Sequence, residues 1–254
     1  MRFFKATTLS LLLALGVSSA SVVVVQPVTS TVYDTFDGSG ALNSSLWDTY
    51  DADSDTSEEL TVTQTGGSYN GAIGSVDSSD TLWFNTSQGR HDYVTMSGDF
   101  DFIARNIGLA ASPIPEENDF QFCGIMVWIA DHTYEFVVVG NRSNPGNTVE
   151  VKITENTAGG DSDADDLGQD YASNYRMDIR VVRSGSTVTW YVQAPGTTPD
   201  SWTDLTSNFN ALSLSRTSFG TGSVRIGMVT YGQGNVDAFT GVVDQIEIPT
   251  GTPL

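Results

Sequence analysis

Two consecutive apolar stretches in the middle of the chain constrain its fold more than any other feature. They cover residues 120–129 and 134–139, and a short polar break at residues 130–133 separates them. The first stretch is apolar at both alternating positions, as expected for a strand that is covered on both faces. Its aromatic and β-branched residues favour a strand over a buried helix of the same length. We therefore predict a central hairpin in a two-sheet β-sandwich.

Short strand candidates, separated by turn-forming residues, fill the rest of the chain, and no amphipathic helix appears. The further predicted strands are residues 32–36, 60–64, 81–85, 92–96, 99–105, 148–154, 175–183, 186–192, 224–231 and 241–248. Three acidic or glycine-rich stretches, residues 51–59, 66–71 and 159–170, are predicted to be exposed loops. The pattern predicts one all-β domain, an antiparallel sandwich over residues 32–249.

The N-terminus has the pattern of a secretory signal peptide. Arg2 and Lys5 precede an apolar run at residues 9–17, and small residues occupy the positions before Ser21. We predict cleavage after Ala20 and a secreted protein, extracellular or periplasmic; an uncleaved anchor is the alternative. Residues 21–31 then form a lead or an edge strand, and residues 250–254 a C-terminal tail.

Charge excludes several classes of partner. Cleavage would remove two of the 11 basic residues and none of the 31 acidic ones, which leaves a net charge of about −22. Such a field repels nucleic acid and anionic lipid, and polyanions unless calcium bridges the contact. No later stretch is apolar enough to insert into a membrane. The single Cys123 cannot form an internal disulfide, and its apolar setting predicts a buried structural thiol.

The order of several motifs resembles the concanavalin A-like lectin/glucanase superfamily, and within it the DUF1349-type (LamG-like) jelly-roll modules. The matching motifs are DTFDG at 34–38 with the later Trp47, GDFDF at 98–102, FCGIMV at 122–127, YRMDIRVVRSGSTVT at 175–189, VRIGMV at 224–229 and VDQIEI at 243–248. The resemblance covers nearly the whole mature chain and implies a two-sheet jelly roll in contact with carbohydrate. It does not imply catalysis, because the Glu-x-Asp-x-Glu motif of the glucanases and the Gln-x-His signature of alginate lyases are absent.

Aromatic side chains are the candidate carbohydrate-binding residues, because flat rings stack on the apolar faces of sugars. The candidates are Trp83, Trp128, Tyr134 and Trp202, on a concave sheet and its rim loops. We expect Trp83 and Trp202 to be exposed. Trp47 and Trp190 are expected in the core.

A structural calcium ion is a second hypothesis. Asp244 shares its alternation with two isoleucines and is therefore expected to point inward, where a carboxylate needs a partner. Asp34 and Asp37 belong to a segment expected nearby and could complete an oxygen cage. Hydrogen bonds to loop amides would satisfy Asp244 equally well.

These features favour a secreted, non-catalytic carbohydrate-binding protein whose partner is a polysaccharide or other glycan. One alternative is a glycoside hydrolase or polysaccharide lyase of the same fold. Its acids could be Asp99 with Asp101, or Asp178 beside Glu150, and its base His91 or His132. Another alternative is a self-assembling or adhesive protein, in which residues 22–25 add a strand to a sheet edge.

Overall fold

The computed structural model describes most of the region downstream of the predicted signal peptide. It covers residues 31–51, 60–74, 83, 89–110, 120–130, 133–142, 146–155, 161–166, 176–205, 220–233 and 238–254. The predicted signal peptide, the self-assembly segment 22–25, most of the predicted strand 81–85 and His132 lie outside these residues.

The described residues form sixteen strands. They are β1 (Val32–Asp34), β2 (Asp48–Asp51), β3 (Thr61–Thr65), β4 (Ser68–Ile73), β5 (Arg90–Met96), β6 (Phe100–Leu109), β7 (Phe120–Ala130), β8 (Thr133–Arg142), β9 (Gly146–Glu155), β10 (Asp161–Asp166), β11 (Arg176–Ser184), β12 (Thr187–Gln193), β13 (Thr203–Asp204), β14 (Val224–Gln233), β15 (Phe239–Val243) and β16 (Gln245–Thr250). None of the described residues forms a long apolar helix of the kind that crosses a membrane. The predicted all-β class is confirmed.

The strands assemble into two antiparallel sheets that pack as a jelly-roll sandwich. Sheet I has the order β13-β12-β11-β6-β15-β4-β3, and β16, which pairs with β1, also pairs with β6. Sheet II has the order β10-β9-β8-β7-β14-β5-β2, so the predicted central hairpin, β7 with β8, lies in its middle. Each sheet therefore has an inner face, towards the other sheet, and an outer face.

Contacts between the sheets identify the inner faces. Cys123 on β7 lies against Gly241 on β15, and the Tyr69 hydroxyl on β4 donates to Asp92 on β5 at 3.0 Å. Cys123 is fully buried, and burial raises the pKa of its thiol to about 12. The predicted buried structural thiol is confirmed. Trp47 and Trp190 are also in the core, as expected.

Two of the three predicted loops contain strands, and those predictions were wrong. Within residues 66–71 the structure places the start of β4, which pairs with β3 and β15 and buries Tyr69 completely. Within residues 159–170 it places β10, which pairs with β9 along its whole length. Backbone pairing forms β10 although its sequence, DSDADD, has no apolar alternation. The third loop, residues 51–59, lies almost wholly outside the described residues.

Candidate functional site

The outer face of sheet I carries a cluster of charged side chains. Phe100, Phe102 and Ala104 of β6 are buried on the inner face, so the alternate residue Arg105 projects outward. Three carboxylates surround it, and we call the four residues the Arg105 cluster: Arg105, Asp178 on β11, Asp200 after β12 and Glu247 on β16. Three strands and one loop thus converge on a single guanidinium.

The guanidinium of Arg105 donates to all three carboxylates. The distance from Nε to Glu247 Oε1 is 2.9 Å, and Nη1 lies 3.0 Å from both Asp178 Oδ2 and Asp200 Oδ1. Burial alone would lower the pKa of Arg105, but the hydrogen bonds with Glu247, Asp200 and Asp178 raise it above its ordinary value. Asp178 and Glu247 are only 2% and 4% exposed. The cluster is a network in which one guanidinium is paired with three carboxylates.

A β-bulge on β6 places this network. Asp178 lies opposite both Arg105 and Asn106, where the pairing of β6 with β11 shifts register. Asn106 has a positive φ of 53°, a conformation that asparagine tolerates better than most residues. Its backbone N–H donates to Asp178 at 2.9 Å, and its side-chain amide donates to Asp244. The bulge therefore links the Arg105 cluster to Asp244.

A cavity of about 620 Å³ opens beside the cluster, and we call it the polar cavity. Its lining residues are Thr35, Asp37, Gly66, Gly67, Ser68, Arg105, Asn106, Asp178, Gly196, Thr197, Thr198, Asp200, Asp244, Gln245 and Glu247. Five of them are acidic and one is basic, so the cavity is electronegative. Hydroxyl and amide groups among the same residues supply further hydrogen-bond donors and acceptors.

Trp202 is the aromatic residue beside this network. Its ring is partly exposed, and the guanidinium carbons of Arg105 and Arg180 lie 5.3 Å and 5.8 Å from its centroid. Arg180 is held in turn by Asp101, at 2.6 Å between Nη2 and Oδ2. Burial would raise the pKa of Asp200, but hydrogen bonds from Arg105 and Gln193 outweigh it and lower that pKa. The region thus combines an aromatic ring with fixed hydrogen-bonding groups.

The other three predicted carbohydrate-binding residues lie on the opposite side of the molecule. Trp83, Trp128 and Tyr134 meet on the outer face of sheet II, with the ring centroid of Trp83 5.8 Å from Trp128 and 5.6 Å from Tyr134. The structure therefore brings three of the four together and separates Trp202 from them.

The expectation that Trp83 is exposed was wrong. Its side chain is fully buried, and Trp128 and Tyr134 are 2% and 1% exposed. Trp83 packs edge-on against these two rings, and its carbonyl accepts a hydrogen bond from the Tyr134 hydroxyl at 2.8 Å. The aromatic rings on this part of sheet II pack against one another rather than facing solvent.

The three predicted calcium ligands do not form a cage. Asp34 accepts hydrogen bonds from the Trp47 indole at 2.7 Å and the Phe36 amide at 2.8 Å, and Asp37 accepts one from Thr35. Across the part of the chain that the structure describes, no three His, Cys, Asp or Glu side chains form a group that could hold a metal ion. Calcium binding stays a prediction.

Asp244 was expected to point inward, and this was wrong. It lies at the break between β15 and β16, where the alternation changes, and its side chain is 39% exposed. Ser68 and Asn106 donate hydrogen bonds to its carboxylate. Asp244 and Asp37 do line the polar cavity together, whereas Asp34 is not among its lining residues.

The acid pairs of the enzymatic alternative are not supported. Asp178 and Glu150 belong to different sheets, so their predicted proximity on neighbouring strands was wrong. Asp101 is 7% exposed and bound to Arg180, and Asp99 accepts a hydrogen bond from the Gly185 amide.

His91 is also unsuited to act as a base. It is fully buried, and burial, followed by the charge of Arg225, lowers its pKa to about 3. Its imidazole is therefore neutral at physiological pH and has no contact with solvent.

The sequence did not predict the Arg105 cluster, although Asp178 was named as a possible acid of the enzymatic alternative. Asp178, Asp200 and Glu247 lie 73, 95 and 142 positions after Arg105. No local spacing joins them, because their proximity depends on the pairing of β6 with β11 and β16. The one available signal was the polar alternation on β11, which marks Asp178 as outward-facing.

Comparisons with known proteins support the fold. No protein-family model and no curated protein sequence matches the chain. A functionally unknown protein from Saccharomyces cerevisiae has a similar structure, with a TM-score of 0.54 at 14% identity over 83% of this chain and 97% of that one. A xylan β-1,4-xylosidase from Bacillus halodurans superposes with a TM-score of 0.56 at 15% identity over 85% of this chain, which spans 38% of the xylosidase.

A third similar structure is an immunostimulatory antigen and pseudo-β-1,3-glucanase of Mycobacterium tuberculosis. Its TM-score is 0.50 at 12% identity, over 86% of this chain and 97% of that one. At such identities the likeness concerns the fold alone. It supports the concanavalin A-like jelly roll that the motif order predicts.

Proposed function

We propose that this chain is a secreted, non-catalytic carbohydrate-binding protein that takes a neutral sugar in the polar cavity. The observation that carries this proposal is the partly exposed ring of Trp202, held on Arg105 beside an acid-rich cavity. Sugar rings combine apolar C–H faces, which stack on aromatic rings, with hydroxyls that need fixed partners. Trp202 and the cavity lining supply these two kinds of group side by side.

Charge favours a neutral sugar over an acidic one at this position. Five carboxylates and one arginine line the cavity, so a uronate or a sulfate would be repelled. Hydroxyl groups can instead donate to the carboxylates. The cavity volume of about 620 Å³ lies within the range common for small-molecule sites, roughly 300–1,000 Å³.

The hydrogen bonding of the acids argues against hydrolysis. A glycosidase needs one carboxylic acid that stays protonated near neutral pH, which requires a raised pKa. The pKa of Asp200 is lowered instead, and Arg105 holds Asp178 and Glu247 as partners.

The similar structures include a xylosidase and a pseudo-glucanase, which supports a carbohydrate ligand by analogy only. Membership of the DUF1349-type modules and export through the signal peptide are parts of the same proposal.

Retention on insoluble polysaccharides tests the proposal. The mature protein should be retained on at least one neutral glycan, with no release of reducing ends. Trp202→Ala should weaken retention about ten-fold or more, because a buried aromatic anchor commonly dominates binding. Trp202→Phe should keep part of it. Ile129→Ala, at a residue of sheet II that is 37% exposed, serves as the surface control and should bind normally. Unchanged retention of Trp202→Ala, or the appearance of products, would contradict the proposal.

A further inference from the structure

Arg225 on β14 differs from every other arginine whose side chain the structure describes. The others all donate to oxygen: Arg90 to Asp92, Arg105 to its three carboxylates, Arg176 to the Leu109 carbonyl, Arg180 to Asp101 and Arg183 to three glycine carbonyls. Among the described residues, the Arg225 guanidinium donates no hydrogen bond and forms no ion pair, and its recorded contacts are with two aromatic rings. Because the chain has 31 acidic residues and 11 basic ones, the absence of a carboxylate partner for this guanidinium among the described residues is unexpected.

Two aromatic rings hold this guanidinium in place. Its central carbon lies 4.8 Å from the ring centroid of Tyr93 and 4.7 Å from that of Trp128. Stacking of this kind stabilises a cation through its faces and leaves the N–H groups, which lie in the guanidinium plane, available. Those N–H groups form a fork that matches the two oxygens of a carboxylate.

Arg225 is partly exposed to solvent. Arg225 pairs with Thr95 on one side and Trp128 on the other, all on the outer face of sheet II. Arg225, Tyr93 and Thr95 are partly exposed, whereas Trp128 and His91 are buried beneath them. Since His91 is neutral, Arg225 supplies the positive charge of this patch.

We infer that Arg225, between Tyr93 and Trp128, is a subsite for the carboxylate of a single acidic sugar. The fork of N–H groups binds the carboxylate, and the partly exposed Tyr93 lies beside the sugar ring. A polyuronate is disfavoured, because the chain carries a large net negative charge and Asp48 projects from the same face two strands away. The subsite is separate from the polar cavity, and this inference does not depend on neutral sugar binding in that cavity.

A matched pair of ligands tests this subsite. Methyl β-glucuronide and methyl β-glucoside differ only in a carboxylate against a hydroxymethyl group, and their affinities for the mature protein can be compared by titration calorimetry or NMR. We expect the glucuronide to bind about ten-fold more tightly than the glucoside at low salt, and this preference to shrink as salt is added. Glucose 6-sulfate distinguishes a carboxylate-specific fork from general anion binding, which would give equal affinities.

Two variants of Arg225 locate the effect. Arg225→Gln should abolish the preference for the glucuronide, and Arg225→Lys should retain only part of it, because lysine keeps the charge but loses the fork. Trp202→Ala should leave the preference unchanged while it weakens neutral glycan binding. Melting curves and near-ultraviolet circular dichroism check that each variant is folded. The inference is overturned if the wild-type protein does not distinguish the two glycosides, or if folded Arg225→Gln still prefers the glucuronide.

Discussion

Replacing Arg105 with methionine is expected to destabilise the protein by about 3–5 kcal/mol, because removing one partner of a buried ion pair leaves uncompensated charge. Arg105 is the shared partner of Asp178 and Glu247, which are 2% and 4% exposed. Without Arg105, these two nearly buried carboxylates would lose the positive charge that they share. Chemical denaturation at neutral pH measures this decrease in the free energy of unfolding. The decrease would be a large share of the roughly 5–15 kcal/mol that is typical for the unfolding of a domain.

Two control variants distinguish the effect of losing the shared partner of the carboxylates from the effect of losing any arginine. Arg105→Lys should recover only part of the stability, since a lysine ammonium cannot donate in a fork to three carboxylates. Arg176→Met should cost about 1 kcal/mol, because Arg176 makes one hydrogen bond to a carbonyl and lies 3.9 Å from a half-exposed Asp244. Equal losses for Arg105→Met and Arg176→Met would show that the cluster does not act as a unit.

Removing the carboxylate of Asp92, a second buried acidic residue, should lower the free energy of unfolding by a similar amount. Asp92 is fully buried between the sheets and accepts hydrogen bonds from Thr49 at 2.8 Å, Tyr69 at 3.0 Å and Arg90 at 3.0 Å. Asp92→Ala would leave the buried Tyr69 hydroxyl and the Arg90 guanidinium without this acceptor. We expect a loss of about 3–5 kcal/mol in the free energy of unfolding.

An Asp92→Asn variant provides the comparison for Asp92→Ala. Asparagine keeps the volume and one acceptor oxygen but directs an N–H₂ group towards Arg90 or Tyr69. We therefore expect Asp92→Asn to lower the free energy of unfolding by less than Asp92→Ala does. Thr49→Val, which removes a single hydrogen bond, should cost about 1 kcal/mol. A loss below about 1 kcal/mol for Asp92→Ala would mean that water replaces the carboxylate and that the site is not sealed between the sheets.

The predictions from the sequence succeeded where a segment carries its own apolar pattern. The central hairpin, β7 with β8, has enough apolar residues to identify both strands. β4 was missed because glycine, serine and asparagine dominate its sequence, and its burial depends on β15, which lies more than 160 residues away in the chain. A strand that is stabilised mainly by backbone pairing is difficult to predict from its residue types.

The positions of the site residues were harder to predict for a related reason. Strict alternation placed Asp244 inside, but the break between β15 and β16 changes the direction of the side chains. Trp83 was expected to be exposed to solvent, yet its ring is buried against aromatic rings of β2, β7 and β8. Its backbone has a positive φ of 61°. Such contacts arise only when distant segments meet, so a single sequence shows the candidate residue types without showing which of them converge.

The five tryptophan indoles provide the most direct test of neutral sugar binding in the polar cavity. Trp47, Trp83, Trp128 and Trp190 are at most 3% exposed, and Trp202 is the partly exposed one. In a ¹H–¹⁵N spectrum of the mature protein, titration with a neutral oligosaccharide of a retained glycan should shift the Trp202 indole resonance and leave the other four unchanged. An unmoved Trp202 resonance, with shifts at Trp83 or Trp128 instead, would place the sugar on sheet II and contradict the proposed site.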